Sequence, residues 1–435
     1  MTDTIAPTPE YEFIAGLGNY HFKWPNGINI HITRLDNEAY GELDIFYQNG
    51  DKNPRLLHKA RHNLLSTTMA SGLAKSLRQH SDTISALEWK DMLTLVCAKT
   101  LEDFRRGEPV EKLGGKPESM SIDYMVAPIL QADMATTFYG PGESAKSLLA
   151  DLIAVMVSYN VNNLGWKVDL CGPSIIFDWE AGKSDHKKRI WAIKQGLGIT
   201  DDSELISYRF CTQPLVYELP LIQEAIMQNG IVLPIIDSRM AASTNSQDIT
   251  YNATSYYNGL RQLKRTTLTI DHVNRSDWRN DKTDIGPGGS TVIWNRSRSQ
   301  FEIKKNQEPG LPYIDVMMIH RKSNEGPHIN DQAMRIYFDK DAKGDTTAIR
   351  FEVMNAIDNI NLAKSMSLSD GVYQALATNG KLTLYELEAI TGKDKKSLNN
   401  ELTRREKAGT AIHVGKSPTG EIYWGLATEQ GEFSG

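Results

Sequence analysis

The run ATTFYGPGESAKSLLADLIAVMV, from Ala135 to Val157, restricts the fold more than any other part of the chain. An apolar strand enters a Gly-rich turn, and Lys146-Ser147 opens an apolar helix. Strand and helix patterns alternate from there to about Val353, which predicts an α/β core with a mainly parallel sheet covered on both faces. The turn itself, Gly140, Pro141, Gly142, Glu143, Ser144, Ala145, Lys146 and Ser147, follows the G-x-x-x-x-G-K-[ST] pattern of a phosphate-binding loop. Successive N–H groups at a helix N-terminus attract phosphate oxygens, a lysine reaches the β- and γ-phosphates, and a hydroxyl holds magnesium. Lys146 and Ser147 take the last two roles, and the expected ligands are ATP and Mg2+. Ala145 stands where the pattern has its second glycine, so it fits only with a negative φ and a methyl group that clears the phosphate. The octapeptide alone also reads as a chance Gly/Ser turn before a helix.

Three later strands end in polar residues. SIIFDWEAG ends in Asp178-Trp179-Glu180, and a carboxylate there can polarise the water that attacks a γ-phosphate. Glu180 is the predicted general base, although acidic residues also simply terminate strands. GIVLPIIDSRMAAS ends in Asp237-Ser238, and Asp237 is predicted to share magnesium with Ser147. Pro234 is unusual for a central strand. RTTLTIDHVNRSD ends in Asp271-His272, where His272 can feel the γ-phosphate or be a hydrogen-bonded strand-end histidine.

In this order the loop and the DWE, IIDS and IDHV strands resemble the RecA-like ATPases, particularly the RepA-type branch of hexameric replicative helicases. The resemblance covers roughly Tyr124 to Pro327. It implies a RecA-like core, with Glu180 as catalytic glutamate, Asp237 as Walker B carboxylate and His272 as γ-phosphate sensor. It also implies assembly into a hexameric or helical ring. MMIHRKSNEGP resembles the strand-end K-x-R-N-G-P segment by which ring helicases reach a neighbour's nucleotide. Lys322 matches its lysine, and Asn324 stands at its arginine. Arg296 and Arg298, in TVIWNRSRSQFEI, share a face if that segment is a strand, and are candidates for the trans-acting arginine. Solvated edge-strand charges are the other reading. The stretch Asn274 to Ser290 follows the sensor strand, where RecA-type rings carry a loop that touches DNA. Arg275, Arg279 and Lys282 are candidate phosphate contacts and Trp278 a base-stacking residue. Asp277, Asp281 and Asp284 dilute that charge, and a plain connection is equally open.

The 435 residues exceed what one hydrophobic core organises. A loose Thr/Pro-rich arm is expected over 1–15, and a small α+β module over 16–106. In that module YHFKW, INIHITRL and GELDIFYQ read as strands, and Leu57–His80 and Ser85–Arg106 as helices. A linker follows over 107–123, the ATPase core over 124–355 and a winged helix over 365–428. Ser369 is expected to cap the first helix of that last unit, Thr383 with Glu386 to box the second, and the third to start near Asp394. The third helix carries Lys395, Lys396, Arg404 and Arg405, which suits a DNA duplex, although winged helices also contact proteins.

A net charge of -6 excludes a whole-molecule basic footprint, so any nucleic-acid contact is local. Cys97, Cys171 and Cys211 lie far apart without zinc-ligand spacing, which favours buried thiols in a reducing cytoplasm. No signal peptide or 18-residue apolar run is seen, so no membrane partner is expected. The leading reading is an ATP-driven ring motor on nucleic acid, with single-stranded DNA favoured. The alternatives are an ATP-dependent switch controlling a protein partner at the N-terminal module or winged helix, and a DNA-binding regulator with a degenerate loop.

Overall fold

The computed structural model describes residues 10–48, 50, 53–80, 84–107, 110, 112, 114–115, 121–180, 182–244, 248–273 and 291–427. The chain divides into two compact units. One is Met1–Met120 with Val216–Gly230 and Gln262–Lys264, and the other is Ser121–Leu215 with Ile231–Arg261 and Arg265–Gly435.

In the first unit β1 (Glu12–Gly16), β2 (Asn19–Lys23), β3 (Ile28–Thr33), β4 (Tyr40–Tyr47) and β5 (Arg55–Asn63) form an antiparallel meander in sequence order. Phe22, Ile30, Ile32, Leu43 and Ile45 share one core with Leu73 and Leu77 of α1 (Thr67–Leu77) and Trp89, Leu93 and Val96 of α2 (Ala86–Arg106). Two expectations change here. The arm expected to reach residue 15 ends earlier, because Glu12 to Ala15 pair with β2. The helix expected from Leu57 begins only at Thr67. Leu, Lys, Ala and Arg favour helix by about a few tenths of a kcal/mol each. Residues 55–63 instead complete the sheet as its edge strand, with Lys59 on Asp44 at 2.7 Å and Arg61 on Asp36 at 2.5 Å. Cross-strand pairing outweighs the local preference.

The second unit is α/β. Its first strands, β6 (Tyr124–Ala127) and β7 (Leu130–Gln131), form a small sheet with the later β9 (Lys167–Val168). The main sheet begins with β8 (Ala135–Gly140), which leads into α3 (Lys146–Tyr159). β10 (Ser174–Asp178), α4 (Lys183–Gly196), β11 (Ile206–Phe210) and α5 (Leu215–Gln228) follow. Next come β12 (Leu233–Asp237), α6 (Arg239–Ala242), α7 (Ile249–Gln262), β13 (Thr267–His272) and α8 (Thr291–Arg296). β14 (Ser299–Asn306), β15 (Tyr313–Ser323), β16 (Gln332–Lys340) and β17 (Thr346–Met354) complete the sheet.

The strand order is β11-β10-β12-β13-β8-β14-β15-β16-β17. The first six strands run parallel and the last three add antiparallel. This is the expected mainly parallel α/β core, with an antiparallel extension that the sequence pattern did not resolve. The loop strand β8 lies inside the sheet, and α3 is buried all round from Leu148 to Ser158, as its mainly apolar sequence favours. Pro234 is tolerated in β12 because the ladder to β13 begins one residue later, at Ile235. Most of α5 belongs to the first unit, where Glu224 lies 3.7 Å from Arg34, so that unit is not one continuous stretch.

After α9 (Ile360–Ser365) come α10 (Leu368–Asn379), β18 (Lys381–Thr383), α11 (Leu384–Thr391), α12 (Lys395–Lys407), β19 (Ala411–Lys416) and β20 (Ile422–Leu426). β20 pairs with both β18 and β19, and Leu376, Leu387, Leu398, Leu402 and Trp424 form a core among these elements. The Thr383–Glu386 capping box and the Asp394 cap are present. The first helix, however, is capped by Ser367, because the hydroxyl of Ser369 receives Arg405, and the short strand β18 was not anticipated. Cys97 and Cys211 are buried free thiols, whereas Cys171, also expected to be buried, is exposed. Among the described residues no helix is long and apolar enough to cross a membrane.

Candidate active site

Register brings the residues singled out at the strand ends level with one another. Asp178 lies beside Asp237, Asp237 beside Ile270, and His272 beside Gly140. The carboxyl ends of β10, β12, β13 and β8 therefore form one row, the edge at which open α/β sheets bind ligands.

Gly140 is required by a close approach. A Cβ there would stand 2.4 Å from the carbonyl oxygen of Ile303 in β14. The left-handed positions of the loop fall instead to Glu143, with φ 62°, and to Ala145, with φ 71°. This overturns the negative φ expected at Ala145. An L-residue is destabilised by about 1–2 kcal/mol in that region, so the loop carries strain where α3 begins. Among the described residues, none of the N–H groups from Gly142 to Ser147 is bonded to a backbone carbonyl. They are free to receive phosphate oxygens.

Lys146 is 4% exposed, and its ammonium donates to the carbonyls of Gly140 at 3.1 Å and Pro141 at 2.6 Å and to the Ser144 hydroxyl at 3.2 Å. Burial pushes its pKa down from 10.5 to about 8, against the pull of Asp237, Asp271 and Glu180. An incoming polyphosphate would supply the charge this buried ammonium lacks. The Ser147 hydroxyl donates to Asp237 Oδ2 at 2.7 Å, and burial raises the Asp237 pKa. One hydroxyl and one buried carboxylate are hard oxygen donors that fit magnesium. No group of three or more His, Cys, Asp or Glu that could hold a metal ion is found among the described residues.

The Glu180 side chain is 41% exposed. It accepts a hydrogen bond from the Ser238 hydroxyl, and its Oε2 lies 3.4 Å from His272 Nε2. The His272 contact, against the effect of burial, lowers its pKa, so Glu180 is anionic at neutral pH, as a base that orients water must be. His272 is placed in turn by Asp271, whose Oδ1 accepts its N–H at 2.8 Å. Oδ2 of Asp271 accepts from buried Arg239 Nε at 2.5 Å. Loop lysine, hydroxyl, buried carboxylate, anionic glutamate and histidine thus converge on one edge.

Among solved structures the chain is similar to a KaiC-like protein from the hyperthermophilic archaeon Pyrococcus horikoshii OT3, with 11% identity over 52% of this chain and 93% of that one and a TM-score of 0.36. No protein-family model and no curated protein sequence matches the chain. So distant a likeness transfers no residue role, and the roles given to this site rest on its own geometry.

The remaining candidates are not all brought to the site. Arg275, Trp278, Arg279 and Lys282 lie outside the described residues. The segment expected to be a strand carrying Arg296 and Arg298 on one face is the helix α8 up to Arg296, and the strand starts at Ser299. The physical reason is Lys322, whose ammonium donates to the carbonyls of Trp294 at 2.6 Å and Ser297 at 2.7 Å and so satisfies the end of that helix. Arg296 donates to the Thr254 hydroxyl at 3.3 Å, while Arg298 is exposed. In α12, Lys396 is exposed and Lys395 lies 3.5 Å from Glu388. Arg404 pairs with Glu401 at 2.6 Å. Arg405, only 12% exposed, holds Glu401 and the carbonyl and hydroxyl of Ser369, so it serves the fold rather than the outer face. Sequence reasoning named Ser238 without giving it a role and passed over Arg239, although both sit inside the quoted IIDSRMAAS run; an arginine two residues after the predicted metal carboxylate was the available signal.

Proposed function

We propose that this chain binds ATP with magnesium on the loop from Gly140 to Ser147, hydrolyses it, and uses the energy as a RecA-type ring motor on nucleic acid. The observation that carries the hydrolase part is the convergence of Lys146, Ser147, Asp237, Glu180 and His272 at four adjacent strand ends. Lys146 and the free loop N–H groups hold the phosphates, and Ser147 with Asp237 would hold magnesium, which neutralises phosphate charge when bound. Glu180 orients the attacking water and takes its proton, while His272, in contact with Glu180, registers whether the γ-phosphate is present.

The nucleic-acid part has separate support. The polar segment from Asn274 to Ser290 follows His272 directly in the sequence. The order α10-β18-α11-α12-β19-β20 supports reading this unit as a winged helix, and its third helix exposes Lys395 and Lys396. In a ring of copies the exposed Arg298 is the arginine best able to reach a neighbour's nucleotide, and Arg296 and Lys322 buttress it through α8.

The test is magnesium-dependent ATP hydrolysis by the wild type, Lys146→Ala and Glu180→Gln, with and without single-stranded DNA. Lys146→Ala should lose nucleotide binding, Glu180→Gln should bind but not turn over, and DNA should stimulate the wild type. Rates indifferent to every nucleic acid would remove the motor reading and leave an ATP-dependent switch on a protein partner.

A further inference from the structure

Behind the candidate base runs a buried chain of polar groups, of which only Asp178 lies in one of the strand-end motifs. Asp178, at the end of β10, is fully buried, and its Oδ1 accepts the backbone N–H of Glu180 at 2.8 Å. Its Oδ2 accepts the hydroxyl of Tyr208, from β11, at 2.9 Å and faces Nε2 of His186, on α4, at 3.7 Å. The other ring nitrogen of His186 lies 2.8 Å from Oδ1 of Asp151, and Arg189 Nε stands 2.9 Å from Oδ2 of the same carboxylate. Asp151 is on α3, four residues after Ser147 and so one helical turn along the same face. The chain of contacts therefore links the helix that opens at the phosphate loop to the residue that carries the catalytic carboxylate. Its central groups are buried: Asp151 and Asp178 are 0% exposed and His186 is 2% exposed.

Stability alone does not account for this arrangement. Buried carboxylates are costly to desolvate, and well-packed apolar side chains would join α3 to α4 at least as firmly. What an apolar residue at 178 would lack is an acceptor for the N–H two residues ahead. That bond fixes where the backbone of Glu180 leaves the strand. The Tyr208 hydroxyl holds Asp178 from β11, and His186, bonded to Asp151 and 3.7 Å from Asp178, spaces it from α3 by close packing.

The geometry points to Asp178 as a positioning residue for Glu180, with His186 and Asp151 as the strut that holds it at a set distance from the phosphate loop. This rests on the reading of Glu180 as general base. A base displaced by about 1 Å from its productive place costs about a hundredfold in rate, while ATP, held by the loop, is bound as before.

The test uses the full-length chain and steady-state and single-turnover ATP hydrolysis. Asp178→Ala removes the acceptor of the Glu180 N–H, and should lower kcat by about ten- to a hundredfold and leave KM for ATP within about twofold. In a Glu180→Gln background the same substitution should cost nothing further in the residual single-turnover rate, because both changes act through one carboxylate. Tyr208→Phe removes one hydroxyl and no charge, and should lower kcat by about fivefold at unchanged KM. If Asp178→Ala fails to fold, Tyr208→Phe decides, and an unchanged kcat there overturns the inference. Equal losses from Asp178→Ala in the wild-type and Glu180→Gln backgrounds, or a raised KM at constant kcat, overturn it as well. A Glu180→Gln variant that turns over at the wild-type rate removes the base reading itself, and that failure is distinct from additive losses around an inactive Glu180→Gln.

Discussion

Replacing Ala145 by glycine tests the most unusual feature of the proposed phosphate loop. An ordinary Ala→Gly change at the start of a helix costs about 1 kcal/mol, because glycine gains backbone freedom in the unfolded chain. At Ala145 three effects compete. The residue sits at φ 71° and ψ 14°, and relief of that left-handed conformation returns about 1–2 kcal/mol. Glycine's unfolded-state entropy takes back about 0.5–1 kcal/mol. The methyl group packs only partly buried against the core cluster, so its loss costs about half of the 0.8 kcal/mol assigned to a fully buried carbon. The variant should therefore lie between about 0.4 kcal/mol less and about 1 kcal/mol more stable, against a loss of about 1 kcal/mol in the ordinary case. A local assay isolates so small a change. Amide hydrogen exchange across α3, whose N–H ladder starts at Leu149 on the Ala145 carbonyl, reports the stability of this element. Protection of α3 should hold or rise in Ala145→Gly, and ATP affinity should not fall. Protection lowered by the equivalent of 1 kcal/mol or more would show that Ala145 is not strained and that the loop does not have this shape.

Two further outcomes follow from the same structure. The fall of the Lys146 pKa from 10.5 to about 8 corresponds to a destabilisation of about 3 kcal/mol while both folded and unfolded chains hold the proton, that is, below pH 8. Between pH 8 and 10.5 the unfolded chain binds more protons, so wild-type stability gains with rising pH relative to Lys146→Met; urea denaturation of both proteins at pH 7 and pH 10 measures the change, and a gap that does not move with pH contradicts it. Gly196, at the end of α4, is backed by β17 so closely that a Cβ would stand 1.9 Å from the carbonyl oxygen of Ile349. Gly196→Ala should lose about 1–3 kcal/mol by urea denaturation, where helix propensity alone would add about 1 kcal/mol, so an increase in midpoint rules out the contact.

The order of motifs was legible in the sequence because each rests on local chemistry. An apolar run that stops at a carboxylate or histidine marks a strand end without reference to the rest of the chain, and Glu180, Asp237 and His272 were found that way. Capping boxes such as Thr383 with Glu386 are equally local. Residues that work through distant partners left a weaker trace. Asp151 is a lone acid in an otherwise apolar helix, which signals a buried partner without naming it. His186 has no signal at all, since only packing of α4 on α3 places it between two aspartates. Errors of element type had the same origin. Residues 55–63 have helical propensity, and the segment carrying Arg296 has strand-like composition, and each was decided by partners far away in sequence, β4 in one case and Lys322 in the other.

The sequence by itself determined that an apolar strand, a Gly-rich turn and an apolar helix would occur together with three polar strand ends, because hydrophobic runs and the residues that stop them are read one neighbourhood at a time. Tertiary structure alone decided that those ends stand in one row, through strand order and register, which depend on pairings across more than a hundred residues. It also decided the backbone of the loop. Ala145 is held at positive φ by the elements on either side of it, and a single residue's intrinsic preference of about 1–2 kcal/mol is too small to resist a packed core.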